Sequence, residues 1–109
     1  MEADYDFETD CISIRISNEK AYETVEINSN ILLDLSQRNK KPVAIEVLDA
    51  SEFISRLFAK KIDKATVKNK LRAHLKRNGK AELTLDFELG RERYAYAIPK
   101  AYESPVLAV

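Results

Sequence analysis

Four basic side chains, Lys64, Lys68, Arg72 and Lys76, recur at strict four-residue spacing with no acid among them. On a helix this spacing puts all four on one face, where like charges repel by about 0.2–0.5 kcal/mol per pair. A helix shaped by stability alone would carry some Glu in that row. The row therefore predicts a face that meets something anionic. With Lys61, Lys70 and Arg77 beside it, such a face can neutralise phosphates and release their counterions, giving salt-sensitive binding with little reading of sequence. The competing reading is a plain solvated face, its charge cancelled by acids elsewhere in the fold.

Catalytic chemistry has less material. His74 is the only histidine and Cys11 the only cysteine, so no Cys/His metal set can form. His74 lies beside an apolar stripe, which predicts an edge-of-core or surface role. Cys11 reads as a small residue filling a sheet face. Asp4, Asp6, Glu8 and Asp10 alternate along the chain and can gather a divalent cation, or else form a solvated strand edge that discourages aggregation. Glu46 reads as a strand-face acid and Asp49 as a helix cap. The expectation is a non-enzymatic protein with no metal and no cofactor.

The 109 residues carry 18 Lys+Arg and 18 Asp+Glu, a formal net charge of zero. The two glycines exclude collagen-like and glycine-rich phosphate-loop proteins, and one cysteine excludes an internal disulfide framework. No apolar run approaches a membrane span, and the acidic start MEADYDFETD resembles neither a signal nor a transit peptide, so a cytoplasmic location is expected. The zero conceals three blocks. Residues 1–55 hold twelve acids against five bases, net −7; residues 56–80 hold ten bases against Asp63 alone, net +9; residues 81–109 hold five acids against three bases, net −2. Either the blocks cancel within the fold or they face different partners.

The elements that must position these charges follow from the apolar pattern. Tyr5–Phe7, Cys11–Ile16, Tyr22–Ile27, Ile31–Leu35 and Val43–Leu48 read as short strands joined by polar gaps, which favours an antiparallel meander over 1–51. Asp49 and Glu52 stand three apart before Phe53, Ile54, Leu57 and Phe58, predicting a capped helix over Ser51–Lys61. A second, basic helix is expected from Asp63 to Asn78-Gly79, its narrow stripe formed by Val67, Leu71 and Leu75. Residues 80–99 alternate as a hairpin, with Leu83, Leu85, Phe87 and Leu89 on one face and Gly90-Arg91-Glu92 at the turn. A tail over 100–109 ends in Val106-Leu107-Ala108-Val109, of which Val106, Leu107 and Val109 are a candidate protein interface. The whole reads as one α+β domain.

Three stretches resemble a family of small bacterial and archaeal proteins, domain of unknown function 2283. They are Tyr5-Asp6 with Thr9-Asp10-Cys11-Ile12-Ser13-Ile14-Arg15-Ile16-Ser17, then Val25-Glu26-Ile27 to Ile31-Leu32-Leu33-Asp34-Leu35, then Ala44-Ile45-Glu46-Val47-Leu48-Asp49-Ala50-Ser51. The resemblance spans roughly Tyr5 to Ser51 and implies a compact β-meander closing with a short helix. Ser13 departs from the family's usual aromatic, and the basic turn Ser36–Pro42 replaces an acidic, glycine-containing one. Some members are encoded beside small toxin-like proteins, so the resemblance implies an antitoxin or accessory role and brings no catalytic residues.

Two function classes remain. The first is a protein-interaction module whose acidic meander suits a small basic partner, with self-association as a homodimer expected as well. The alternative is nucleic-acid binding through the basic helix at 63–78.

Overall fold

The computed structural model describes residues 3–37, 40–78 and 82–98. Its first five strands are β1 (Ala3–Asp6), β2 (Cys11–Arg15), β3 (Ala21–Glu26), β4 (Ile31–Ser36) and β5 (Pro42–Val47). They form one antiparallel sheet in the order β1-β2-β5-β4-β3. The order is not sequential because β2 pairs with β5, Ile12 opposite Val47 and Ile14 opposite Ile45. Residues 16–20 then carry the chain across the β4–β5 end, where the Ile16 and Ser17 N–H groups both donate to the Val43 carbonyl, at 2.8 and 3.2 Å.

Strict alternation sorts the two faces of this sheet. Ile12, Ile14, Ile31, Leu33, Leu35, Val43, Ile45 and Val47 are buried on one side. The opposite side carries Asp4, Asp6, Cys11, Ser13, Arg15, Glu26, Leu32, Asp34 and Glu46. Helix α1 (Ala50–Phe58) leaves β5 directly and lays Ala50, Phe53 and Ile54 on the apolar side.

The start of α1 is not held by the residue that the sequence pattern suggests. Asp49 occupies the cap position in a left-handed conformation, φ 49°, and makes no side-chain cap bond. The cap comes from Asp10, in the β1–β2 turn. Its carboxylate accepts from the Ser51 N–H at 3.0 Å and the Ser51 hydroxyl at 2.6 Å, while its carbonyl accepts from the Ala50 N–H at 2.8 Å. Tyr5 donates its hydroxyl to the same carboxylate at 2.6 Å. Negative charge at a helix N-terminus also meets the positive end of the helix dipole.

The second expected helix is corrected by the structure. Helix α2 covers only Lys64–Lys70, capped by the Asp63 carboxylate on the Thr66 N–H at 2.8 Å. Leu71–Asn78 is a strand, β6. It pairs with β7 (Glu82–Leu89), which pairs with β8 (Glu92–Ile98), so the expected hairpin is part of a three-stranded antiparallel sheet. The reason lies in an ambiguous pattern. Val67, Leu71 and Leu75 fit a helical period, but Leu71, Ala73 and Leu75 alternate equally well with Arg72, His74 and Lys76. One apolar residue per turn is a thin helical stripe, whereas the strand sets Leu71, Ala73 and Leu75 opposite Leu89, Phe87 and Leu85.

Both sheets and both helices feed one apolar cluster. Phe53 makes edge-on ring contacts with Phe87, at 6.3 Å, and with Tyr96, at 5.7 Å. The Asn28 side-chain amide donates to the Tyr96 hydroxyl at 2.7 Å, joining the β3–β4 turn to β8.

Loss of the Asp10 bonds is expected to cost more than any change at the nominal cap. Asp10→Ala strands the Tyr5 and Ser51 hydroxyls and the Ser51 N–H, an expected loss of about 2–4 kcal/mol in urea denaturation. Asp49→Gly relieves a positive φ and removes no side-chain cap bond, so it is expected to stay within about 1 kcal/mol of the parent.

Candidate functional site

The row Lys64, Lys68, Arg72 and Lys76 is split between a helix and a strand. Lys64 and Lys68, one turn apart on α2, place their ammonium groups 5.4 and 5.6 Å from the ring centre of Phe7, a half-exposed residue of the β1–β2 turn. Lys61 and Lys70 are exposed at either end of that short helix. Arg72 and Lys76 point outward from β6, and Arg77 lies on the other side of the strand near its end, opposite Leu83. No single basic face unites the seven residues. Val106, Leu107 and Val109 lie outside the described residues.

The outer face of the second sheet is a mixed network. Arg72 stands opposite Glu88, and His74 opposite Asp86. Asp86 is only 2% exposed, although it sits on the solvent-facing side of β7. Two cations cover it: the Arg93 Nε lies 2.9 Å from Oδ1, a second Arg93 nitrogen bonds Oδ2, and the Lys76 Nζ lies 3.2 Å from Oδ2. The Arg93 hydrogen bonds, with Lys76 assisting, hold the Asp86 carboxyl down at about 2. His74 reaches Glu88 at 3.7 Å. Of the expected basic row, Lys76 is thereby paired within its own sheet, while Arg72 stands opposite a Glu88 carboxylate that His74 and Arg93 approach.

The first sheet presents the opposite case. Across its outer face the register sets Asp4 beside Ser13, Ser13 beside Glu46, Glu46 beside Leu32, and Leu32 beside Glu26. Asp34 stands opposite Ala44 and accepts from the Thr24 hydroxyl at 2.6 Å. Arg15, the one base among these strand positions, donates instead to the Glu19 carbonyl at 2.6 Å. Among the described residues, no Lys or Arg forms an ion pair with Asp4, Asp6, Glu26, Asp34 or Glu46. Partial burial, and then the neighbouring Asp34, push the Glu46 carboxyl above the usual carboxylate range. The Cys11 thiol, on the same face, is pushed up by burial and by Glu46.

The four alternating N-terminal acids do not act together. Asp10 turns inward to cap α1, Asp4 and Asp6 lie on the outer face, and the Asp6 carboxylate accepts from the Glu8 N–H at 3.0 Å within the turn. Among the described residues, no three His, Cys, Asp or Glu side chains gather as a metal-ion set. No helix among them is long and apolar enough to cross a membrane.

Sequence reasoning missed Asp86, Arg93 and Glu88 as partners of the basic residues, and Phe7 as the seat of two lysines. The period-two alternation of residues 71–77 against 83–89 carried the first signal. Nothing local to Phe7 carried the second.

Two antiparallel sheets and two short helices around a shared core, with an acidic outer face on one sheet and a mixed-charge face on the other, define an α+β protein. Residues 3–51 match the family model described as protein of unknown function DUF2283, the family that the N-terminal motifs resemble. No curated protein and no solved structure matches the chain.

The Asp86 network makes stability depend on acid in a definite direction. A carboxyl held at about 2 when folded, against an ordinary 3.8, stabilises the fold fully above pH ~4; that contribution is lost as pH falls from about 4 to 2. Asp86→Asn is expected to lower stability at pH 7 by about 1–2 kcal/mol and to flatten the acid limb of the denaturation midpoint against pH.

Proposed function

We infer that the chain is a non-enzymatic protein-interaction module whose acidic sheet face receives a small basic protein. The observation that carries this reading is the set Asp4, Asp6, Glu26, Asp34 and Glu46, spread over the strands of one sheet and without an ion-pair partner among the described residues. A protein folding for stability alone gains from mixed charge on such a face, because like charges on neighbouring strands are unfavourable. The Glu46 carboxyl, raised by partial burial and then by the neighbouring Asp34, supports the same view: an approaching Lys or Arg relieves the part that Asp34 contributes. The half-buried Leu32, Ala44 and Cys11 between the acids offer a flat apolar floor for such a contact. An antitoxin-like or accessory role, in which the partner is a small toxin-like protein, is the specific form of this reading.

Phosphate contacts from Lys61, Lys64, Lys68, Lys70, Arg72, Lys76 and Arg77 remain the competing reading. It has less support, since Lys76 is bound to Asp86 and Arg72 faces Glu88.

Co-expression with a small basic protein encoded beside it is expected to yield a defined complex. The double variant Asp34→Lys with Glu46→Lys is expected to weaken that complex by about 10–100-fold, mainly at low salt. Recovery of this chain alone, or a complex indifferent to the double variant, counts against the acidic face. Tight, salt-sensitive binding to a DNA or RNA duplex that is lost on reversing Lys64 and Lys68 to Glu would favour the phosphate reading instead.

A further inference from the structure

Among the described residues, four strands lie at sheet edges: β1 and β3 in the first sheet, β6 and β8 in the second. An edge presents a row of backbone donors and acceptors, which proteins blunt with short length, charge, proline or bulges. Three of the four edges are blunted. β1 is four residues long and carries Asp4 and Asp6. β3 carries Glu23 and Glu26, and its pairing is interrupted by a register shift between Ala21 and Glu23. β6 carries Arg72, His74, Lys76 and Arg77, of which Arg72 and Arg77 form no ion pair among the described residues.

β8 is different. It runs seven residues in unbroken register with β7, contains no proline, and ends Tyr94-Ala95-Tyr96-Ala97-Ile98. Its only charged residues, Glu92 and Arg93, are already engaged within the molecule, by Lys60 at 2.6 Å and by Asp86. Glu92 through Ala95 and Ala97 are exposed, so the edge can be reached.

We propose that β8 pairs antiparallel with β8 of a second copy across a two-fold axis at Ala95, joining two three-stranded sheets into one of six strands. A strand that pairs with its own copy must complement its reversed sequence, because the same patch serves both partners. About Ala95 it does. Ala95 meets Ala95, Arg93 of each copy lies opposite Ala97 of the other, and Tyr94 lies opposite Tyr96. No like charges face each other. On the inner side, the tyrosines extend the ring contacts Phe53–Tyr96, at 5.7 Å, and Phe58–Tyr94, at 6.3 Å. Aromatic cross-strand pairs of this kind stabilise antiparallel pairing. On the outer side, the small Ala95 and Ala97 leave the Arg93–Asp86 pair undisturbed. A strand of unrelated sequence can use the same backbone groups but has no reason to match this alternation, so a second copy is the occupant. This surface is separate from the acidic face of the first sheet, and neither reading depends on the other.

Light scattering of the full chain, beside Ala95→Lys, tests the pairing. Ala95 is exposed on the outer face, so the chain of a lysine there extends into solvent in one copy, whereas the two-fold brings two ammonium groups face to face. The parent is expected to reach twice the 12.5 kDa chain mass with rising concentration. The variant is expected to dimerise about tenfold more weakly with an unchanged circular dichroism spectrum. Hydrogen exchange at the β8 amides of the parent is expected to slow as the dimer fills. A parent that stays at 12.5 kDa, a dimer indifferent to Ala95→Lys, or a dimer whose β8 amides exchange no more slowly than the monomer's would overturn the proposal. Should the variant unfold, the exchange measurement on the parent decides alone.

Discussion

The Asp10 carboxylate is the constraint on which the rest of the structure depends. It is 9% exposed and takes three hydrogen bonds, from Tyr5, the Ser51 N–H and the Ser51 hydroxyl, the last two across a sequence separation of 41 residues. Hydrogen bonds to an ionised acceptor are about twice as strong as neutral ones, and these also satisfy helix donors that would otherwise be orphaned. Burial and this carboxylate push the Tyr5 phenol far above its usual range, so the hydroxyl stays a donor at any ordinary pH. The bond set fixes where α1 begins and which way it faces. Because α1 is fixed, Phe53 reaches Phe87 and Tyr96, and the second sheet closes over the first. Two residues accept left-handed backbone to allow this, Asp10 at φ 56° and Asp49 at φ 49°. Asp tolerates that conformation better than most non-glycine residues.

This arrangement also gives the N-terminal motifs a physical meaning. Tyr5, Thr9-Asp10 and Asp49-Ala50-Ser51 are separated in the chain but meet at the helix start. The sequence made each stretch visible and predicted a helix over Ser51–Lys61, where the observed one runs Ala50–Phe58. It assigned the cap to Asp49, since a local pattern of Asp and Glu three apart is what sequence alone can present. A cap supplied from a turn 41 residues earlier leaves no local trace. The five strands were legible because their apolar residues alternate without ambiguity. Their order was not, since the pairing of β2 with β5 depends on the covering of an apolar face rather than on loop length.

The basic segment failed for a different reason. Residues 71–76 satisfy helical and strand periods together, and only the presence of β7 with its row of Leu83, Leu85 and Phe87 decides between them. Once the strand forms, the meaning of the charges changes with it. Lys64 and Lys68 settle on Phe7, while Arg72 and Lys76 join a face that also holds Asp86 and Glu88. The net +9 of residues 56–80 is thus divided over surfaces that partly neutralise it. The acidic excess of residues 1–55 is treated otherwise. Alternation collects Asp4, Asp6, Glu26, Asp34 and Glu46 on a single outer face, and two bases of the same segment, Lys40 and Arg15, are used elsewhere.

The limits of the family match acquire a structural reason from the same geometry. Residues 3–51 contain the complete five-stranded sheet and both halves of the Asp10 contact, but not the body of the helix that the contact orients. Taken alone, this stretch would leave Ile12, Ile14, Leu33, Leu35, Ile45 and Val47 uncovered, an apolar face that a soluble monomer rarely exposes. In this chain the cover is α1, α2 and the β6–β8 sheet, whose Phe53, Ile54, Val67, Leu75, Leu85 and Phe87 belong to the same cluster. The matched segment therefore supplies a sheet with one face needing cover and one face free to carry charge. The elements from α1 to β8 meet the first need, and the acidic side is left as the surface on which sequence can vary without disturbing the core.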